Sequence, residues 1–283
     1  MFGMHTGGLI GSAILVGVMG VGVASPAQAA DAPAVEAKSA YVIDSAGTIH
    51  FNKRETSRVP VASLVKIMTA YVVLREGKLS DTITITAADV RHAVGSGATT
   101  AKLKKGERLT TRDLLYGLML PSGADAASAL ARRYGPGNDA FVAKMNAAAQ
   151  RLGLSDTRYT NPDGLPTPGK GGYSTAVDQA KLTKVALADS TFRTVVSREV
   201  QKIPKTALHR AHTWHNTNKL LESASGIIGV KTGYTNAAGF CLVFAGERSG
   251  RVVIGVLLGD KDARRFSTAE KLLDYAETQI SGG

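Results

Sequence analysis

The sequence predicts an α+β fold: both chain ends build one antiparallel sheet flanked by helices, with an all-helical lobe inserted at about residues 82–185. Three observations predict it. Apolar β-branched runs open the chain near Tyr41 and close it after Ser225; the stretch from Gly106 to Leu187 has helical periodicity; and Gly, Pro and Asn cluster between these blocks.

The elements follow in order. "YVIDSAGTIHFN" reads as two short strands around a Ser-Ala-Gly turn, a hairpin that begins the sheet. Residues 63–74 follow as a helix apolar on most sides, closed by Glu76-Gly77, and such a helix belongs in the middle of a protein. "TITITAADV" gives a short alternating strand and a turn of helix. "ERLTTRDLLYGLML" carries a threonine cap with Asp113 in its first turn and stops at Pro121. "GADAASALARRYG" and "NDAFVAKMNAAAQRLG" are amphipathic helices, each ending at glycine. Residues 161–172, "NPDGLPTPGKGG", form an irregular loop, and "STAVDQAKLTKVALA" restarts a capped helix at Ser174 or Thr175. Extended segments follow Arg198. "GIIGVKTGY", "GFCLVFAGER" and "RVVIGVLLG" are then three strands, and "STAEKLLDYAETQI" is a closing helix.

The first thirty residues contain no Asp, Glu, Lys or Arg. Their apolar part, residues 9–24, falls short of the roughly 20 residues that span a membrane, and Ala27-Gln28-Ala29 has cleavage-site spacing, so residues 1–29 read as a signal peptide. The positive n-region is missing, and a retained membrane anchor is the rival reading. Residues 30–40 are expected to be a flexible lead-in and 41–283 one catalytic domain. The single cysteine, Cys241, precludes an internal disulfide and sits in an apolar run as core filling. The exported chain keeps the formal net charge of +11, but it has no concentrated basic tract, zinc spacing or aromatic platform. The charge therefore argues for loose attraction to an anionic wall or membrane surface and against nucleic acid as a partner.

"VASLVKIMTA" raises the chemical question, because an apolar helix carries Lys66 three positions after Ser63. Positions i and i+3 share a helix face at about 5–6 Å, so the amine can reach the hydroxyl. Serine needs a neighbouring base, and burial favours the neutral amine that could serve as one. The bland alternative is a lysine that snorkels to solvent. "LMLPSGADAA" places Ser122 in a Ser-Gly turn, its side chain expected to point outward, or else to cap the next helix. "GVKTGYT" sets Lys231, Thr232, Gly233 and Tyr234 on an apolar strand, where a lysine calls for an anion or a cleft, or else protects a sheet edge.

In order, these match the S-x-x-K, S-x-N and K-T-G set of penicillin-recognising serine enzymes. "TTRDLLYGLMLPSGADAA", "STAVDQAKL", "NTNKLL" and "GVKTGYT" resemble the low-molecular-mass D-alanyl-D-alanine carboxypeptidases, the Streptomyces DD-peptidases in particular, from about Tyr41 to Tyr275. The resemblance implies a β-lactamase/DD-peptidase-like fold and no cofactor or metal. It also implies that Ser63 attacks the D-Ala-D-Ala end of peptidoglycan stem peptides, with β-lactams as covalent inhibitors. Lys66 would take the serine proton, Ser122 pass it to the leaving amine and Lys231 polarise the network. Lys231 and Thr232 would hold the terminal carboxylate on the strand that continues through Gly233, and the N–H groups of Ser63 and Tyr234 would form the oxyanion hole.

One position departs from the pattern: Ala124 stands where the motif usually has Asn, which weakens the expected hold on lysine and substrate. Two alternatives therefore stay open, a β-lactamase and a catalytically weak protein that only binds wall peptides or penicillin. No glutamate is assignable as a water activator, which disfavours the β-lactamase. Carboxypeptidase and transpeptidase share these motifs. His209, His212 and His215 around Trp214 read as a polar surface segment in preference to a metal site, with Trp214 as a packing anchor.

Overall fold

A computed structural model describes residues 1–4, 7, 31–167, 169, 171–262 and 264–282. Most of the expected signal peptide, residues 1–29, lies outside the described residues. No helix among the described residues is long and apolar enough to cross a membrane.

Strands β1 (Ser39–Asp44), β2 (Ile49–Lys53), β7 (Ile227–Thr235), β8 (Gly239–Arg248) and β9 (Arg251–Asp260) form one antiparallel sheet in the order β2-β1-β9-β8-β7. The two ends of the chain thus meet where β1 pairs with β9, as the strand patterns predicted. Alternation along β8 and β9 covers both faces. Leu242, Phe244, Val253 and Leu257 pack under Leu272 and Leu273 of the closing helix α9 (Arg264–Gly282). Val243, Ala245, Ile254 and Val256 join the larger core on the opposite face. Each of these buried Leu, Ile, Val and Phe side chains contributes roughly 1.5–3 kcal/mol. Gly255 leaves room for the Phe244 ring, since a Cβ there would lie 2.0 Å from Cζ.

On that opposite face lies α1 (Val65–Glu76), preceded by one 3-10 turn, Ala62–Leu64. Val65 to Ala70 are all buried, because α1 packs against helices on several sides. These include α3 (Thr111–Met119), α4 (Ala124–Tyr134), α5 (Asn138–Arg151), α6 (Ala176–Leu187) and α7 (Ser190–Val196). The lobe also contains α2 (Ala87–Gly95). It is not all-helical: β3 (Thr82–Thr84) pairs with β4 (Arg108–Thr110), giving "TITIT" a partner across the lobe. Nor does α6 belong wholly to the lobe, since it packs on β1 and β9.

The lead-in also differs from expectation. Ala37 is fully buried, Val35 packs against the α9-side core, and Lys53 Nζ donates to Val35 O at 2.6 Å. The apolar residues of "APAVEA" find the groove beside α9, so the strand is approached by fixed chain. Farther along, β5 (Val200–Ile203) and β6 (His212–His215) form a separate pair, and α8 (Leu220–Ser223) leads into β7. Trp214 is the expected anchor: it is buried, with Nε1 donating to Ala101 O at 2.8 Å. His212, expected at a polar surface, is instead buried against Trp214 and 3.2 Å from Glu107. Cys241 is buried in the core.

Candidate active site

Three segments meet at Ser63: α1, the 161–172 loop and β7. Ser63 lies in the 3-10 turn and not in α1 itself, directly after Ala62, which is held at φ 50°. That left-handed conformation costs a non-glycine residue about 1–2 kcal/mol, and it persists because two other segments press on it. Gly164, at φ 82°, brings the 161–172 loop so close that a Cβ would fall 1.9 Å from Ala62 O. Gly233 brings β7 close as well, since a Cβ there would stand 3.1 Å from both Ser63 N and Val61 O. β7 is the sheet's edge strand, so its outer side faces this turn with no further strand beyond it.

Lys66 answers the chemical question. It is 1% exposed, and Nζ donates to Ser63 Oγ at 3.0 Å and to Asp163 O at 2.8 Å. Burial pulls its pKa down to about 8, opposed by the nearby carboxylates of Asp163 and Asp125. The snorkelling alternative fails, because the amine is inside. The loop that supplies Asp163 is tied to α1 a second time by Thr69 Oγ1 donating to Pro162 O at 2.6 Å. Asn161 shapes it, its Oδ1 accepting the N–H groups of Asp163 and Gly164.

Ser122 sits at φ 64°, 5% exposed, with an Oγ that has no hydrogen-bond partner among the described residues. It therefore points inward, contrary to the expectation of an outward side chain. The N-cap of α4 is Gly123, which has no side chain to cap with. Gly123 is required at that turn, since a Cβ would come within 2.6 Å of Gly117 O. Ala124 is fully buried at the start of α4, and its side chain carries no hydrogen-bonding group. Lys66 Nζ has two acceptors among the described residues, one fewer than its three N–H groups.

Lys231 is 1% exposed, and its Nζ donates to Thr232 O at 2.9 Å. Its pKa is held well below the usual value, first by burial and then by the charges of Lys66 and Arg265. It is not a solvent-facing edge charge. Thr232 Oγ1 meets Thr217 Oγ1 at 2.6 Å, and Thr217 N donates to Leu120 O at 3.2 Å, so β7 is linked to the segment that carries Ser122. Tyr234 is half exposed, with its ring stacked on Phe240. Beside Ser63, a cavity of about 310 Å³ is lined by Val61, Val65, Tyr159, Leu165, Pro166 and Tyr173 among others.

A partly exposed Ser63 and a buried Lys66 in this register, closed by a loop and an edge strand, are the setting that the motifs lead one to expect, and comparison decides the family. The profile of the D-alanyl-D-alanine carboxypeptidases (peptidase S11) matches residues 26–262. The chain belongs to this family. A D-alanyl-D-alanine carboxypeptidase of Streptomyces sp. (strain K15) is 41% identical over 280 residues, 94% of each chain. One from Mycobacterium tuberculosis is 36% identical over 239 residues, 83% of this chain and 79% of that one. The crystal structure of the Streptomyces K15 DD-transpeptidase has a TM-score of 0.82 at 40% identity, covering 87% of this chain and 98% of that one. The DD-peptidase-like fold expected from the resemblance is thus the fold observed.

The structure also brings in residues that no local motif marks. Thr217 was visible only as part of "NTNKLL". Arg265 lies in the first turn of α9, its guanidinium 5.0 Å from the Phe240 ring centre and its Nε buried without a hydrogen-bond partner among the described residues. Asp163 and His92 form a pair behind Lys66. Nothing in their local sequence marks them, because each acts across a long chain separation.

Proposed function

We propose that the protein is an exported serine DD-peptidase that acts on the D-Ala-D-Ala end of peptidoglycan stem peptides through an acyl-enzyme on Ser63. The single observation that carries this reading is Lys66: buried, 3.0 Å from Ser63 Oγ, and with a pKa of about 8. At pH 7 about a tenth of such an amine is neutral, enough to accept a proton without large cost.

Ser63 Oγ attacks the carbonyl carbon between the two D-alanines while its proton passes to Lys66 Nζ. The carbonyl oxygen gains charge and is met by the N–H groups of Ser63 and Tyr234, which the close approach of Gly233 supports as neighbours. The C–N bond then breaks, and the leaving amine takes the proton through Ser122 Oγ. D-alanine departs, leaving an ester on Ser63. Water or an amine from a second stem peptide resolves this ester, giving carboxypeptidase or transpeptidase products.

Lys231 and Thr232 hold the terminal carboxylate. A buried amine whose charged form is opposed by burial, Lys66 and Arg265, and whose only bond among the described residues is to a carbonyl of its own strand, is one that an anion would stabilise as the ammonium. The apolar cavity beside Ser63 would take the stem peptide on the acyl side of the scissile bond. β-Lactams, as mimics of D-Ala-D-Ala, acylate the same serine.

Slow release of the penicilloyl group is expected. The carboxylates nearest Lys66 are engaged: Asp125 accepts the N–H groups of Ala101, Leu103 and Ala126, and Asp163 those of Leu165 and His92. Neither is free to activate water, which argues against a β-lactamase. The net charge of +11 suits loose association with an anionic wall or membrane surface.

The test uses the chain from Asp31 onward with Ser63→Ala as control. It is incubated with a fluorescent penicillin and with a diacyl-D-Ala-D-Ala peptide, with and without an amine acceptor. Labelling that the control loses, together with released D-alanine, supports the proposal, and a new amide marks transpeptidation. Labelling without D-alanine would show a binding protein weakened at Ala124; absence of labelling would overturn the reading.

A further inference from the structure

His92 is the sixth residue of α2, a helix fixed at its start by a capping box between Thr86 and Asp89. Asp89 is buried and bonds Arg132 and Ser128 of α4, so the position of α2 against the lobe is set. From there His92 Nε2 bonds Asp163 Oδ2 at 2.5 Å, across 71 residues of chain. The Asp163 side chain is fully buried, whereas that of His92 is one-third exposed.

Asp163 faces two ways. Its carboxylate meets His92 on one side, its second oxygen accepts the N–H of Leu165 at 3.0 Å, and its backbone carbonyl accepts from Lys66 Nζ at 2.8 Å. Thus one residue joins a solvent-touching imidazole to the amine beside Ser63. We propose that His92 is a positioning residue which, with Asp163, forms a charge couple behind Lys66 and sets the pH at which Lys66 can act as base. The proposal rests on the assignment of Lys66 above.

Asp163 faces His92 from the loop, Lys66 from α1 and Asp89 from its own helix, the last already paired with Arg132. Asp163 is the group that raises the imidazole's proton affinity most, opposed first by burial and then by Lys66. The consequences for Lys66 have opposite signs. The Asp163 carboxylate favours the ammonium form, and a protonated His92 cancels part of that field. A fixed cation such as arginine would cancel it at every pH. Histidine, with one side in solvent, cancels it only where it is protonated.

The pH dependence of Ser63 acylation by a fluorescent penicillin tests this, measured as the second-order rate from pH 5 to 9.5 in the wild type, His92→Gln, Asp163→Asn and the double variant. Asp163→Asn is expected to move the acid limb to lower pH and His92→Gln to higher pH, each by about half a unit. The double variant should match Asp163→Asn alone, because His92 acts through that carboxylate. Shifts in the same direction, or uniform rate losses with an unmoved profile, would leave only a structural brace and overturn the proposal.

A second measurement does not need catalysis. Nuclear magnetic resonance titration of the His92 ring in the Ser63→Ala protein should show a pKa above the ordinary 6.5 that falls back in Asp163→Asn. An unshifted ring would overturn the couple whatever the reaction proves to be. Conversely, a normal couple in a protein that penicillin does not label would refute the proposed function and leave the couple standing.

Discussion

Replacing Lys66 with methionine should make the protein more stable and inactive at once. Methionine keeps an unbranched side chain of similar length and adapts well to apolar surroundings. The gain comes from the buried ammonium. Its pKa falls from the ordinary 10.5 to about 8 in the folded chain, so folding must weaken proton binding at this site. Below pH 8 both states hold the proton and the full cost is present, about 3 kcal/mol. Between pH 8 and 10.5 the folded protein is neutral while the unfolded chain is still charged, and the cost disappears. Against this stands the loss of two hydrogen bonds, to Ser63 Oγ and Asp163 O, at about 1 kcal/mol each.

Lys66→Met is therefore expected to be about 1 kcal/mol more stable than wild type at pH 7, and less stable by about 2 kcal/mol once the pH exceeds 10.5. Penicillin acylation should fall by at least about 10³-fold. Urea unfolding from pH 7 upward, followed by the fluorescence of the sole tryptophan, the buried Trp214, reads both limbs. A difference between variant and wild type that does not change with pH would refute the argument, because it would mean that Lys66 carries the same proton folded and unfolded.

Gly164→Ala should force the 161–172 loop off Ala62. The φ of 82° and the contact with Ala62 O predict a loss of about 2–4 kcal/mol and, because Ser63 moves with its neighbour, about 10²-fold slower acylation. Thermal unfolding and penicillin labelling would read the two effects, and an unchanged labelling rate would show that the loop does not position the serine. Although burial alone would raise the pKa of Asp44, bonds from Arg251, the Thr48 N–H and His50 bring it down to about 2. That stabilisation is present above pH 3.8 and lost as pH falls towards 2. Asp44→Asn should thus cost about 2 kcal/mol at pH 7 and progressively less below pH 4, as urea titrations at both pH values would show. Thr217→Val removes the hydroxyl that meets Thr232. It should raise KM for a D-Ala-D-Ala peptide several-fold with little change in Tm, and an unchanged KM would refute a link between these two residues and the substrate's carboxylate.

What the sequence determined by itself is what depends on neighbours along the chain. The alternation in β8 and β9, the apolar wrap of α1, the capping boxes at Thr86 and Thr110, and the three-residue step from Ser63 to Lys66 are all local patterns. Each follows from a period of 2 or 3.6 residues, or from a capping rule. Local pattern also placed Ser122 in a turn and Lys231 on a strand. Its errors were of one kind, since it could not say which way Ser122 points, that the lead-in docks beside α9, or that "TITIT" would find a partner.

Only the tertiary structure decided the state of Lys66. Nothing in "SLVK" fixes whether that amine reaches solvent. It is buried because Asp163, 97 residues away, and β7, still farther along the chain, close over the turn. The same holds for His92, Thr217 and Arg265, whose partners lie on other elements. A pKa is set by the dielectric and the charges within a few ångströms. Those neighbours are chosen by the packing of the whole chain, so the reactive group could be named from the sequence, but its reactivity was decided by the fold.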